Sequence, residues 1–174
     1  MTTPIVGIAG WKNSGKTTLA IKLIAELTRR GFRVASVKHA HHEADIDHEG
    51  TDTFRHRAAG AVEVALVTSR RWALIHELGS GSEPTLAETL ARFSPSDIVV
   101  VEGYKREPIP KIEVRRLEAA QTDGMASSDP HVIAVASDHA TDVVGRPTFD
   151  LNDVARIADF VVTRFDLGVP NRKA

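Results

Sequence analysis

Residues 10–17 read Gly10-Trp11-Lys12-Asn13-Ser14-Gly15-Lys16-Thr17, a G-x-x-x-x-G-K-T spacing followed by Thr18. Few short patterns constrain a fold as tightly. Two glycines let the chain curl until backbone N–H groups converge on one concavity, and the loop delivers whatever anion it holds to a helix N-terminus. Lys16 is placed to reach β/γ-phosphates, and the Thr17 hydroxyl to ligate Mg²⁺. The flanks agree. Pro4-Ile5-Val6-Gly7-Ile8-Ala9 is a short apolar run that reads as a buried strand. After the loop, Leu19, Leu23, Ile24 and Leu27 recur at helical spacing until Gly31 stops them. The reading is a strand–loop–helix nucleotide unit. Its expected contacts are Gly10, Trp11, Lys12, Asn13, Ser14, Gly15, Lys16, Thr17 and Thr18.

At 174 residues the chain suits one domain with a real core, expected over 1–168 and followed by a loose tail at 169–174. A net charge of −1 gives no field that favours nucleic acid or an anionic membrane as main partner. Without cysteine there are no disulfides, thiolate metal sites or Cys nucleophiles. The first strand begins almost at once, with no signal-like apolar core, and no apolar run approaches the ~20 residues that span a bilayer. The expectation is a cytoplasmic protein.

Strand and helix patterns alternate along the chain. Phe32–Val37 reads as a second strand. Ala61–Thr68 and Trp72–Leu78, joined by Ser69-Arg70-Arg71, read as a hairpin. Thr85 with Glu88 makes a capping box opening a helix through about Phe93. Asp97–Gly103 is a β-branched run suited to the sheet centre, with Asp97 capping its entry. Lys111–Val114 and His131–Ala136 add strands, and Arg115–Asp129 reads as loop or short helix. Val154, Ile157, Ala158, Val161, Val162 and Phe165 follow an amphipathic helical pattern capped by Asn152 or Asp153. The class is α/β. The fold expected is a three-layer one of the P-loop NTPase type, with a mostly parallel central sheet and an antiparallel hairpin extension.

Three further constellations carry chemistry. Glu102 ends the apolar strand of that run, where loop-type NTPases hold Mg²⁺ with an acidic residue beside the loop Thr. His39, His41, His42, Asp45, Asp47, His48, Glu49, Asp52 and His56 put five histidines between 39 and 56. Imidazole with carboxylate suits Zn²⁺ or Ni²⁺. A polar loop at the C-terminal edge of the sheet is the alternative, with Gly50-Thr51-Asp52-Thr53 and Arg55 as the part facing phosphate or Mg²⁺. Asp138, at a strand end, is a candidate acceptor for guanine N–H groups; a turn-capping aspartate is the alternative. Lys16, Asp52 and Glu102 would carry any turnover, and Thr17, Glu102 and Asp52 any metal. Arg55, Arg57, Lys105 and Arg106 are basic enough to assist. No residue stands out as a water-positioning group, so turnover should be weak.

The loop with Thr18-Leu19, then Lys38-His39 with His41-His42, Gly50-Thr51-Asp52-Thr53 with Arg55, and Ala59-Gly60-Ala61 resembles the molybdopterin-guanine dinucleotide biosynthesis adaptor family, MobB. So do Trp72-Ala73-Leu74-Ile75, Val101-Glu102-Gly103-Tyr104-Lys105 and Phe149-Asp150-Leu151-Asn152-Asp153. The resemblance runs in order over nearly the whole chain. It implies a homodimeric GTP-binding protein with weak GTPase activity, using GTP and Mg²⁺. Its partner would be a MobA-type molybdenum cofactor guanylyltransferase, which joins GMP to molybdopterin. The runner-up is a nickel- or zinc-delivering metallochaperone GTPase, motivated by the histidines. A small-molecule kinase or ligase is the third reading, and it would need an acceptor pocket with a general base.

Overall fold

The computed structural model describes residues 3–40, 46–119, 124–141 and 143–169. They group into two compact units, Met1–His39 with Phe93–Ala174, and Ala40–Arg92. The first holds β1 (Ile5–Ala9), α1 (Lys16–Arg29), β2 (Val34–Lys38), β5 (Ile98–Glu102), β6 (Lys111–Arg115), β7 (Val132–Ser137), β8 (Thr148–Asp150) and α4 (Val154–Arg164). The second holds α2 (Asp52–Ala58), β3 (Glu63–Val67), β4 (Trp72–His76) and α3 (Leu86–Leu90).

The six strands of the first unit form one sheet in the order β2-β5-β1-β6-β7-β8, with every pairing parallel. Period-two alternation explains how it packs. Val6, Ile8, Ile98, Val100, Ile112, Val114, Ala134 and Ala136 share the face that meets the helices. Against them α1 lays Leu19, Leu23 and Leu27, and α4 lays Ile157, Ala158 and Val161. Each large side chain buried this way stabilises the fold by about 1.5–3 kcal/mol. Arg30 joins the two helices through Asp159 Oδ1 (2.7 Å) and the Ala155 carbonyl (3.0 Å). Asp153 caps α4 by accepting the Arg156 N–H. Asp97 accepts the Arg33 N–H at the mouth of β5, as its position suggests.

On the other face, Ala126 of the 3₁₀ turn Met125–Ser127 packs with Val132 and Val135. Two charges are buried in β6 and hold loops to the sheet. Glu113 accepts the Met125 and Ala126 N–H groups (2.8 Å each) and Arg115 Nη2 (2.9 Å). Lys111 donates to the Lys105 carbonyl (2.9 Å), the Glu107 carbonyl (2.7 Å) and Asp129 Oδ2 (2.9 Å).

In the second unit the expected hairpin is present as its own antiparallel two-stranded sheet, Glu63 pairing with His76 and Val67 with Trp72. It shares no ladder with the six parallel strands. Thr85 and Glu88 complete their capping box, but α3 ends at Leu90 rather than near Phe93. The polar segment expected as loop contains α2, capped by Thr51 through the Phe54 N–H. Asp47 is buried there as a hub, accepting Thr51 Oγ1 (2.8 Å), Thr53 Oγ1 (3.0 Å) and the His48 N–H (3.1 Å).

Candidate functional site

In a parallel sheet of this order, β1 leads away to β2 while β6 returns on its other side, so the C-terminal ends of β1, β5 and β6 meet at the switch point where α/β folds bind ligands. The loop of residues 10–15 leaves β1 at that edge and ends on the N-terminus of α1. Its curl depends on two residues with no side chain. Gly10 (φ 153°) would place a Cβ 2.6 Å from both Ser14 Oγ and the Val114 carbonyl. Gly15 (φ 92°) would place one 2.9 Å from Arg116 Nε. Asn13 is also left-handed, at φ 63°. Any larger residue at the two glycine positions would fill the concavity or open the loop.

Inside it, Ser14 is buried, and its Oγ has no hydrogen-bond partner among the described residues. Lys16 Nζ donates to the Trp11 carbonyl at 2.7 Å, closing the loop on itself. Its pKa lies below the ordinary lysine value. Burial is the main cause; Glu102 opposes it, and the neighbouring Lys105 and Lys38 charges add to it. An ammonium under such strain gains from an incoming anion.

Thr17, on the first turn of α1, donates its hydroxyl to Glu102 Oε1 at the end of β5. Lys38, the last residue of β2, stands 3.6 Å from the same oxygen. The structure therefore brings together three of the expected residues, Lys16 and Thr17 at the start of α1 and Glu102 at the end of β5. A hydroxyl and a carboxylate in contact are oxygen donors suited to a hard cation such as Mg²⁺. The loop, with its glycines, orphaned hydroxyl and oxygen pair, fits a nucleotide with its cation.

Residues after Glu102 wrap the same edge. Lys105 Nζ lies 4.1 Å from the centroid of the Trp11 ring. Tyr104, left-handed at φ 46°, stacks on His39 with ring centroids 4.4 Å apart. Arg116, just past β6, packs its guanidinium against Gly15. Sequence reasoning passed over Arg116 and the His39–Tyr104 stack. The signal available for Arg116 was its place as a basic residue directly following a strand at the C-terminal edge.

Asp138 sits past the end of β7. Its Oδ1 accepts the Leu117 N–H (3.0 Å) and lies 2.9 Å from His139 Nδ1. His139 and that N–H hold its carboxyl below the usual range. It anchors a turn, and it also borders a cleft of about 620 Å³ formed by residues 137–141 with Thr148, Phe149 and Asp150. Asp52 opens α2 in the second unit, largely exposed, with Arg55 Nη1 3.7 Å away. Of the histidine-rich cluster, His41, His42 and Asp45 lie outside the described residues. Among the described residues no three His, Asp or Glu side chains group closely enough to hold a metal ion.

A family model described as MobB, molybdopterin guanine dinucleotide synthesis protein B, matches residues 5–138. The chain belongs to the MobB family. Over 161 residues it is 42% identical to the molybdopterin-guanine dinucleotide biosynthesis adapter protein of Haemophilus influenzae, covering 91% of this chain and 87% of that one. The Escherichia coli protein of the same name is 40% identical over 161 residues, covering 91% of each. Among solved structures, Bacillus subtilis MobB superposes with a TM-score of 0.72 at 27% identity, covering 92% of this chain and 97% of that one. The MobB match takes in the glycine loop, the Thr17–Glu102 pair, Arg116 and Asp138; β8 and α4 lie beyond it.

Proposed function

We propose that this chain is a GTP-binding adapter of molybdopterin-guanine dinucleotide biosynthesis with weak GTPase activity. In this reading it works in the cytoplasm as a homodimer beside a MobA-type molybdenum cofactor guanylyltransferase. The observation that carries the nucleotide is the lysine-bearing glycine loop whose Thr17 meets the Glu102 carboxylate of a neighbouring strand. The adapter role rests on family membership and on the names of the relatives.

The loop's N–H groups and Lys16 would hold the phosphate chain at the positive end of α1. Thr17 and Glu102 would hold Mg²⁺, which offsets phosphate charge. Asp138 is assigned to the guanine, its cleft large enough for a nucleoside. Around the loop the first unit offers cations and one carboxylate already engaged by Thr17 and Lys38. Such a site suits holding a nucleotide better than activating water, which favours binding state over turnover as the useful output.

The test is calorimetric titration of GTP and ATP with Mg²⁺ into wild type and Lys16→Ala, followed by an assay of molybdopterin guanylation with and without the chain. GTP binding lost in Lys16→Ala, together with faster guanylation by the wild type, is the expected result. GTP affinity unchanged in Lys16→Ala would overturn the loop assignment. A guanylation rate indifferent to the chain would overturn the adapter role.

A further inference from the structure

Among the described residues, Arg116 is a cation without an anionic counterpart. Its guanidinium lies against the glycine that opens α1, close enough that a Cβ on Gly15 would stand 2.9 Å from Nε, 3.3 Å from Cζ and 3.4 Å from Nη2. Nε is sealed from solvent and makes no hydrogen bond to the described residues. No carboxylate among the described residues lies within ion-pair distance of it, whereas the adjacent Arg115 is paired with Glu113. A shielded, unpaired N–H on a charged group is costly, and such groups in folded proteins normally have a partner. Among the described residues, the positive neighbours of Lys16 are Lys38 and Lys105. The guanidinium adds a planar fork of donors that matches phosphate oxygens.

Its position is also fixed. The residue that follows, Leu117, gives its N–H to Asp138 Oδ1 at 3.0 Å, and the Ala119 N–H returns to the Arg116 carbonyl at 3.1 Å. The turn after β6 is thereby tied to the end of β7, with Arg116 directed toward β1's loop rather than toward solvent.

Resting on the nucleotide reading above, we infer that Arg116 is a phosphate-binding residue of this site, contributing a guanidinium contact to the bound nucleotide's phosphate chain. Asp138 acts as its positioning residue through the Leu117 turn. A charge-assisted contact of this kind is worth roughly tenfold to a hundredfold in affinity.

The experiment is titration of Mg²⁺·GTP, Mg²⁺·GDP and guanosine into the full-length wild type, Arg116→Ala, Arg116→Lys and Lys16→Ala. Ligand-free thermal melting of each variant controls for folding. The expected result is a loss of roughly tenfold or more for GTP and GDP in Arg116→Ala, with partial recovery in Arg116→Lys. Guanosine binding and the melting temperature should stay unchanged. Wild-type affinity for GTP and GDP in Arg116→Ala would overturn the proposal while leaving the nucleotide reading intact if Lys16→Ala still loses binding. Equal losses for GTP, GDP and guanosine, or a lowered melting temperature that accounts for the loss, would also overturn it and make Arg116 a packing residue. A wild type that binds neither GTP nor GDP would overturn the nucleotide reading, and this proposal with it.

Discussion

The Thr17 hydroxyl donates to Glu102 across 85 residues of sequence, closing the gap between the loop of one strand and the end of its neighbour. Parallel pairing of β1 with β5, register Ile8 to Glu102, makes that contact possible. With Mg²⁺ present the same two oxygens can turn to the cation instead. Glu102→Gln keeps a hydrogen-bonding partner for Thr17 but removes the charge. In Mg²⁺ its GTP affinity should fall about tenfold, a differential of ~1.4 kcal/mol, whereas in chelator it should match wild type. Calorimetry under both conditions separates the cases. An equal deficit without Mg²⁺ would assign Glu102 to loop shape alone.

Lys105 over Trp11 supplies an optical reporter. A cation at 4.1 Å from an indole centroid perturbs its emission and is worth about 0.5–1 kcal/mol where partly exposed. The chain has two tryptophans, so Trp72→Phe isolates Trp11. In that background Lys105→Ala should shift the ligand-free emission, and GTP should shift the emission of the Lys105 protein. A spectrum identical with and without Lys105 would rule out the stacked arrangement in solution.

Lys111 is among the most deeply buried side chains in the molecule, and Asp129 is its ionic partner at 2.9 Å. Burial pushes the Asp129 carboxyl upward, but Lys111 and the two donors of His131 outweigh it and hold the pKa below its ordinary value. Asp129→Asn leaves an ammonium inside with two carbonyls and no countercharge. The expected cost is about 2–4 kcal/mol in urea unfolding. The double variant Lys111→Met/Asp129→Asn should lose less than the sum of the two single changes. Strict additivity would contradict the pairing.

Acid titration has a local marker on α1. Arg29 and Arg30 hydrogen-bond Glu26 and hold its carboxyl at about 2. A depressed carboxylate contributes stability that is full above its unfolded value near 4.3 and is lost as pH falls through about 2. Carbon-detected NMR should therefore show Glu26 still ionised at pH 3, when an ordinary glutamate is protonated. Glu26→Gln should flatten stability between pH 4 and 2. A titration midpoint near 4.3 would show that the fork of arginines is open in water.

Much of this fold was legible because its elements carry strong periodicity. The β1–loop–α1 unit, the β-branched β5 and the amphipathic α4 each bury an apolar set whose spacing names the element. Residues of α2 bury nothing, so the helix writes no stripe into the sequence and depends on the Thr51 cap and on Arg57 reaching Glu77. Three-residue β8 is too short for alternation to register. At the site, spacing alone exposed Gly10, Gly15, Lys16 and Thr17, because one local loop holds them all. Lys38, Arg116 and the Tyr104–His39 stack arrive from other strands, and only the strand order brings them to one edge.

The connection from β5 to β6 must pass β1, which lies between them, and return to the opposite end of the sheet. It does so with residues 103–110 alone, without the helix such parallel crossovers usually employ. Gly7 makes room for it, since a Cβ there would stand 2.9 Å from Lys111 and 3.3 Å from Ile109. With its near end fixed by Glu102 and the Lys105 and Glu107 carbonyls midway along it gripped by the Lys111 ammonium, this strap behaves as a tether of set length. Deleting one residue from it would force a choice between pulling the carboxylate off Thr17 and drawing the lysine out of its cage of carbonyls. Length in this stretch thus sets the distance between the carboxylate at the site and the buried lysine.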